Sequence, residues 1–110
     1  MAIVNAQLTS TQLDIITVPA GKSYAITNIL VCNQDAADDA TFDLHFIPSG
    51  GSLDNNVTRV VNNLTLPAGE TFTFDSERIV LDAGDIVAFQ AEPNVGGLTT
   101  LSATISYLEV

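Results

Sequence analysis

The sequence predicts an all-β protein: an antiparallel β-sandwich, jelly-roll-like, with seven to nine short strands and almost no helix. Three observations predict it. Apolar residues recur with period two over short runs, the pattern of strands that bury one face. One turn device, an aliphatic residue and a turn residue followed by Ala-Gly, is used three times. Nowhere do apolar residues recur at helical spacing over three turns.

The device is plainest between Leu66 and Gln90. In Leu66-Pro67-Ala68-Gly69, proline presets φ for the second position of a β-turn and glycine supplies the positive φ that other residues resist. Beyond it Phe72 and Phe74 share one face of a strand, and Thr71, Thr73 and Asp75 share the other. Leu81-Asp82-Ala83-Gly84-Asp85 launches Val87 and Phe89 in the same way, and Val18-Pro19-Ala20-Gly21-Lys22 precedes Tyr24 and Ile26.

Taken in order, residues 3–17 mix apolar and polar residues, with Leu13, Ile15 and Thr17 placed to share one face of a strand. Tyr24 to Cys32 is apolar on both faces: Tyr24, Ile26, Leu30 and Cys32 on one, Ala25, Ile29 and Val31 on the other. Such a strand is central, or meets another subunit. After the acidic loop Asn33 to Ala40, Thr41 to Ile47 alternates with Phe42, Leu44 and Phe46 inward, until Pro48-Ser49-Gly50-Gly51-Ser52 stops it. Val57 to Leu66 is a β-branched strand weakened by Asn62-Asn63. Arg78 to Leu81 reads as a short strand, Glu92 to Gly97 as a loop, and Leu98 to Val110 as a long closing strand with Leu101, Ala103, Ile105 and Tyr107 on one face.

At 110 residues the chain reads as one domain, 1–110, with a single core. Thirteen acids against three bases, Lys22, Arg59 and Arg78, give a net charge of −10. Nucleic-acid phosphates are held by Lys and Arg, so neither nucleic acid nor an anionic membrane is expected as a partner. Such a surface suits a basic partner or solubility. Cys32 is the single cysteine, so no disulfide forms within the chain, and its apolar surroundings read as those of a buried small hydrophobe.

No constellation of catalytic residues emerges, and the reading is a protein without enzymatic activity or cofactor. His45 is the single histidine and lies opposite in phase to Leu44 and Phe46, which makes it a polar outer-face residue. One Cys and one His do not make a zinc site, nor the several-histidine site of a cupin. Asp35, Asp38 and Asp39 crowd one loop and form a weak calcium candidate, without the alternating spacing and closing Glu of an EF-hand. What exceeds the ordinary is the apolar surplus. A sandwich of this size buries about two thirds of its surface, which points to subunit contacts, with Ile29, Val31, Ile15 and Leu13 as candidate oligomer or capsid contact residues.

The pattern Val18-Pro19-Ala20-Gly21, Ile26-Thr27-Asn28-Ile29, Val31-Cys32-Asn33, Leu81-Asp82-Ala83-Gly84-Asp85 and Leu101-Ser102 to Tyr107-Leu108-Glu109 resembles small β-sandwich virion structural proteins of tailed bacteriophages, those of marine phages and cyanophages especially. The resemblance covers nearly the whole chain, and capsid decoration (cement) proteins are the members that best match a stand-alone chain without fibre repeats. It implies a homotrimer on the capsid exterior, bridging subunits of the major capsid protein, and synthesis in the host cytoplasm. The alternative it implies is a tail-fibre, neck or baseplate module that binds a host surface through the loops Asp35 to Asp39 and Pro48 to Asn56.

Overall fold

The computed structural model describes residues 2–74, 79–93 and 96–110, which hold nine strands and no helix. They are β1 (Ala2–Gln7), β2 (Leu13–Thr17), β3 (Tyr24–Asn33), β4 (Ala40–Ile47), β5 (Arg59–Leu66), β6 (Thr71–Phe74), β7 (Ile79–Leu81), β8 (Ile86–Glu92) and β9 (Leu101–Glu109). Sheet A runs β1-β9-β3-β6, with β7 also on β3; sheet B runs β2-β8-β4-β5. Every pairing is antiparallel. The pairs are nested: β1 with β9, β2 with β8, β3 with β6 and β7, β4 with β5. That nesting is the long folded ribbon of a jelly roll, wound into two packed sheets.

The three Ala-Gly turns are the places where the ribbon changes sheet. Hydrogen bonds from Lys22 N–H to Pro19 C=O (3.2 Å), Glu70 N–H to Pro67 C=O (3.1 Å) and Asp85 N–H to Asp82 C=O (3.0 Å) close them. Each turn therefore begins at the Pro or Asp, one residue later than the sequence suggests, with glycine third. Gly21, Gly69 and Gly84 have φ of 77°, 75° and 87° there, the value a type II turn demands. At Gly84 a Cβ would also run into the Ser49 side chain. The turns carry β2 to β3, β5 to β6 and β7 to β8, each time from one sheet to the other.

Burial follows alternation wherever a strand is regular. Phe42 and Leu44 of β4 meet Val87, Phe89 and Ala91 of β8 and, from sheet A, Ile29, Val31, Ala103 and Ile105. Phe72 and Phe74 close over them, with ring centroids 5.7 Å from Phe42 and 6.2 Å from Phe46. Each fully buried Phe or Ile contributes roughly 2–3 kcal/mol by leaving water.

Three strands depart from strict alternation. In β3 the register against β9 shifts between Ile26 and Asn28, so one extra residue, Thr27, turns the rest of the strand over. Ile26, Ile29 and Val31 all point inward, and Leu30 and Cys32 point outward, which corrects the two faces expected for this strand. In β2 a shift between Asp14 and Ile16 puts Ile16 in the core and leaves Thr17 exposed. In β5 the Asn62-Asn63 weakness is a real irregularity: Asn63 has φ 48° and donates its N–H to the Asp43 carboxylate at 2.6 Å. The expected strand ends at Asp75 and Arg78 and the centre of the 92–97 loop at residues 94–95 lie outside the described residues.

One end of the sandwich is held by a buried amide. Asn33, at the end of β3, is 0% exposed. Its Nδ2 donates to the carbonyls of Asp38 (3.0 Å) and Leu66 (2.9 Å), and its Oδ1 accepts from Asp35 N–H (3.0 Å) and the Thr100 hydroxyl (2.8 Å). Three loops converge on it, and every hydrogen-bonding position is used. Asn33→Ala strands four partners, one buried and three part-buried, and the expected loss of stability is about 3 kcal/mol, measured by urea unfolding.

Candidate interaction surface

The two outer faces of the sandwich differ in charge. Sheet B exposes Asp14 and Glu92 on its outer side, with Asp43 and Arg59 half-buried between them and paired at 3.7 Å. Sheet A shows no charged side chain on its outer face among the described residues. The register fixes that face strand by strand: Ile3, Asn5 and Gln7 from β1, then Ser102, Thr104, Ser106 and Leu108 from β9. Beside them stand Leu30 and Cys32 of β3, opposite Thr73 and Thr71 of β6, and Ala25 opposite Val80 of β7. On a chain of net charge −10 an uncharged face several strands wide is the exceptional surface.

Its polarity is that of hydroxyls and amides, with isolated aliphatic side chains among them. Ile3, Val80 and Leu108 are exposed, Ile3 to 67%. The Thr27 hydroxyl lies 2.6 Å from that of Ser106 and also donates to the Ser106 carbonyl, pinning the bulge from the outer side. Asn28 Oδ1, at the same bulge, is buried and has no hydrogen-bond partner among the described residues.

The sequence-predicted contact residues lie elsewhere. Ile29 and Val31 are 0% exposed and belong to the core, so they are not a contact surface. Leu13 and Ile15 are half-buried and pack against the core from β2. The outward members of the central strand, Leu30 and Cys32, are the ones the bulge brings to the surface, and without aligned relatives one sequence carries no signal of a single extra residue. Cys32 is half-exposed, not the buried hydrophobe expected.

Asp35, Asp38 and Asp39 do not converge on a cation position. Asp35 Oδ1 accepts the N–H groups of Ala37 (2.8 Å) and Asp38 (3.1 Å), an Asx turn that shapes its own loop. Among the described residues no three His, Cys, Asp or Glu side chains approach closely enough to hold a metal ion.

His45 is on the outer side of sheet B, as its phase requires, but it is 0% exposed. Residues 48–58 fold back over it. Phe46 N–H donates to the Thr58 carbonyl (3.0 Å), and His45 Nδ1 lies 2.8 Å from Thr58 Oγ1. The Thr58 hydroxyl also donates to Asp54 C=O and accepts Asp54 N–H, both at 3.0 Å. With that proton given to Asp54, Nδ1–H donates to Thr58, and Nε2 keeps a buried lone pair without a partner among the described residues. Loop-covered residues of this kind follow from tertiary contact that alternation along β4 does not encode. Ser49 N–H, donated to the Asp85 carboxylate at 2.8 Å, ties down the other end of the loop.

Burial pushes the His45 pKa below 6.5, with Asp43 opposing the shift and Arg59 adding to it. The unfolded chain therefore takes up this proton first as pH falls, and the stability the neutral imidazole carries, complete above 6.5, drains away toward the lower folded-state value. Unfolding free energy measured between about pH 8 and pH 5 is expected to fall on the acid side in the wild type, and to fall less in His45→Leu, which keeps the Thr58–Asp54 bonds. Ile29→Asp places an unpaired charge in the core, and loss of the folded circular-dichroism spectrum is the expected result.

Compared with protein-family models, with curated proteins and with solved structures, the chain finds no match, so the surface is read from its own residues and geometry.

Proposed function

We propose that the chain is a non-enzymatic virion structural protein whose work is adhesion to other protein, and that it is a capsid decoration or cement protein. The observation that carries the reading is the partition of charge: the outer side of sheet A is free of charge among the described residues, while Asp14 and Glu92 are exposed on that of sheet B. A face of hydroxyls, amides and scattered aliphatics loses little on desolvation and makes many weak contacts. An acidic opposite face keeps coated particles apart in solution.

In this reading sheet A lies on the shell and sheet B faces outward. Each module binds weakly, and modules held together on neighbouring capsid subunits gain by avidity what one contact lacks. Jelly rolls recur in viral capsid proteins, and equally in lectins and cupins, so the architecture is only an analogy here. The sequence resemblance to phage decoration proteins and the uncharged face point the same way.

Electron microscopy and mass spectrometry of purified particles, with and without this protein, provide the test. Many copies spread over the shell are expected; a few copies confined to the tail or neck would favour the appendage reading, and turnover of a small molecule or tightly bound metal would overturn both. Leu30→Asp charges the sheet A face without entering the core, and a loss of particle binding of at least tenfold is expected at unchanged folding, about 1.4 kcal/mol. Gln90→Glu on the opposite sheet is expected to leave binding unaltered.

A further inference from the structure

A jelly roll has open sheet edges, and folded proteins blunt such edges with charge, proline, bulges or shortness. Three of the edges here are blunted. β5 carries Arg59, the left-handed Asn63 and two register shifts against β4. β2 is five residues long, with Asp14 and a shift beside it. The edge beyond β3 consists of β6 and β7, of four and three residues.

The fourth edge, β1, has none of these devices. AIVNAQ is a regular six-residue strand without charge, proline or bulge, and among the described residues it is hydrogen-bonded to β9 alone. The Leu8 N–H, donated to Leu101 C=O at 2.9 Å, continues the register in which Gln7 stands opposite Ser102. In an antiparallel ladder such bonds fall on alternate residues, so Ala2, Val4 and Ala6 bond to β9. The backbone N–H and C=O of Ile3, Asn5 and Gln7 then point to the open edge, and the same three side chains are exposed on the uncharged outer face.

We infer that β1 is a pairing strand for a second copy of this chain, joined antiparallel about a twofold axis at Asn5. In that register Ile3 faces Gln7 of the second copy and Asn5 faces Asn5. Three residue pairs each exchange two main-chain bonds, about six in all. The occupant is a second copy because both chains carry a net charge of −10 and can approach only where neither is charged. Residues 2–13 contain no Asp, Glu, Lys, Arg or His, and the face beside them has none among the described residues. A basic partner would instead choose sheet B. The contact is isologous and uses up both open edges, so the blunted ones are all that remain and growth stops at two. The symmetry is twofold, not the threefold that the resemblance implies, and the inference stands on the edge itself, whatever the protein adheres to.

Sedimentation over a concentration series up to millimolar tests it: the mass is expected to rise from 11.6 kDa toward twice that value. Asn5→Pro deletes an edge-facing N–H without touching a bond to β9, and is expected to abolish the rise while the far-ultraviolet spectrum keeps its strand signature. Independently, Asn5→Cys in a Cys32→Ser background brings two thiols face to face, and near-complete oxidation to a covalent dimer is expected. A mass fixed at one chain, a rise toward three chains, or a dimer indifferent to Asn5→Pro and not cross-linked through residue 5 would each overturn the inference.

Discussion

The extra residue at Thr27 in β3 is the constraint on which the rest of the molecule depends. Strand β3 lies at the centre of sheet A, between β9 and the β6–β7 edge, so its phase decides what both of its sides show. Without the bulge, either Ile26 or the pair Ile29 and Val31 would be turned to the outside. With it, all three enter the core, and the outer side keeps Ala25, Leu30 and Cys32 with the polar Thr27 and Asn28 of the bulge. The Thr27–Ser106 bonds hold the extra residue in place at the surface that it creates. Core composition and surface composition thus come from one local irregularity.

The ends of the sandwich answer a different need. A ribbon that changes sheet at each corner leaves loops whose backbone groups have no ladder to join, and these must be satisfied by side chains or water. Asn33 does this at one end by joining the loops before β4, before β6 and before β9. At the other end the Asp85 carboxylate accepts the N–H groups of Ser49 (2.8 Å) and Asp82 (2.9 Å), while its backbone carbonyl accepts from Val18 (3.0 Å). The acids counted as plain surface charge in the sequence therefore divide into turn-builders and solvated groups. That division bears on the reading of the 35–39 loop, where Asp35 shapes a turn and is not aimed outward at an ion.

The sheet class, the turns and most strand positions were legible because they depend on local rules. Phe42, Leu44, Phe72, Phe74 and Phe89 alternate as one-sided strands do, and the Ala-Gly pairs demand positive φ wherever they fall. What was not legible depends on counting or on distance. The phase of β3 turns on one residue, and apolar Ile26, Ile29, Leu30 and Val31 fit either face by composition alone. Burial of His45 depends on a loop that begins with Pro48 and returns at Thr58, so neighbours in the strand give no hint of it. Residues 3–17 read as one mixed stretch because the chain leaves sheet A after Leu8 and enters sheet B by Leu13, and a change of sheet leaves no mark in alternation.

The magnitudes decide what kind of adhesion an uncharged edge and face can supply. About six main-chain hydrogen bonds at roughly 1 kcal/mol net each, with two Ile3 side chains adding about 1–2 kcal/mol apiece, come to some 8–10 kcal/mol. Joining two free bodies costs about 4–15 kcal/mol in lost motion. The surplus is small, and repulsion between two acidic chains reduces it further, although charges more than about 8 Å from the contact are screened at physiological salt. An edge of this strength leaves the copies apart when dilute and pairs them when they are concentrated. The uncharged face of sheet A lies immediately beside the six residues of β1, so a partner that engages the edge also meets that face, and the two contacts together hold it more firmly than the edge does alone.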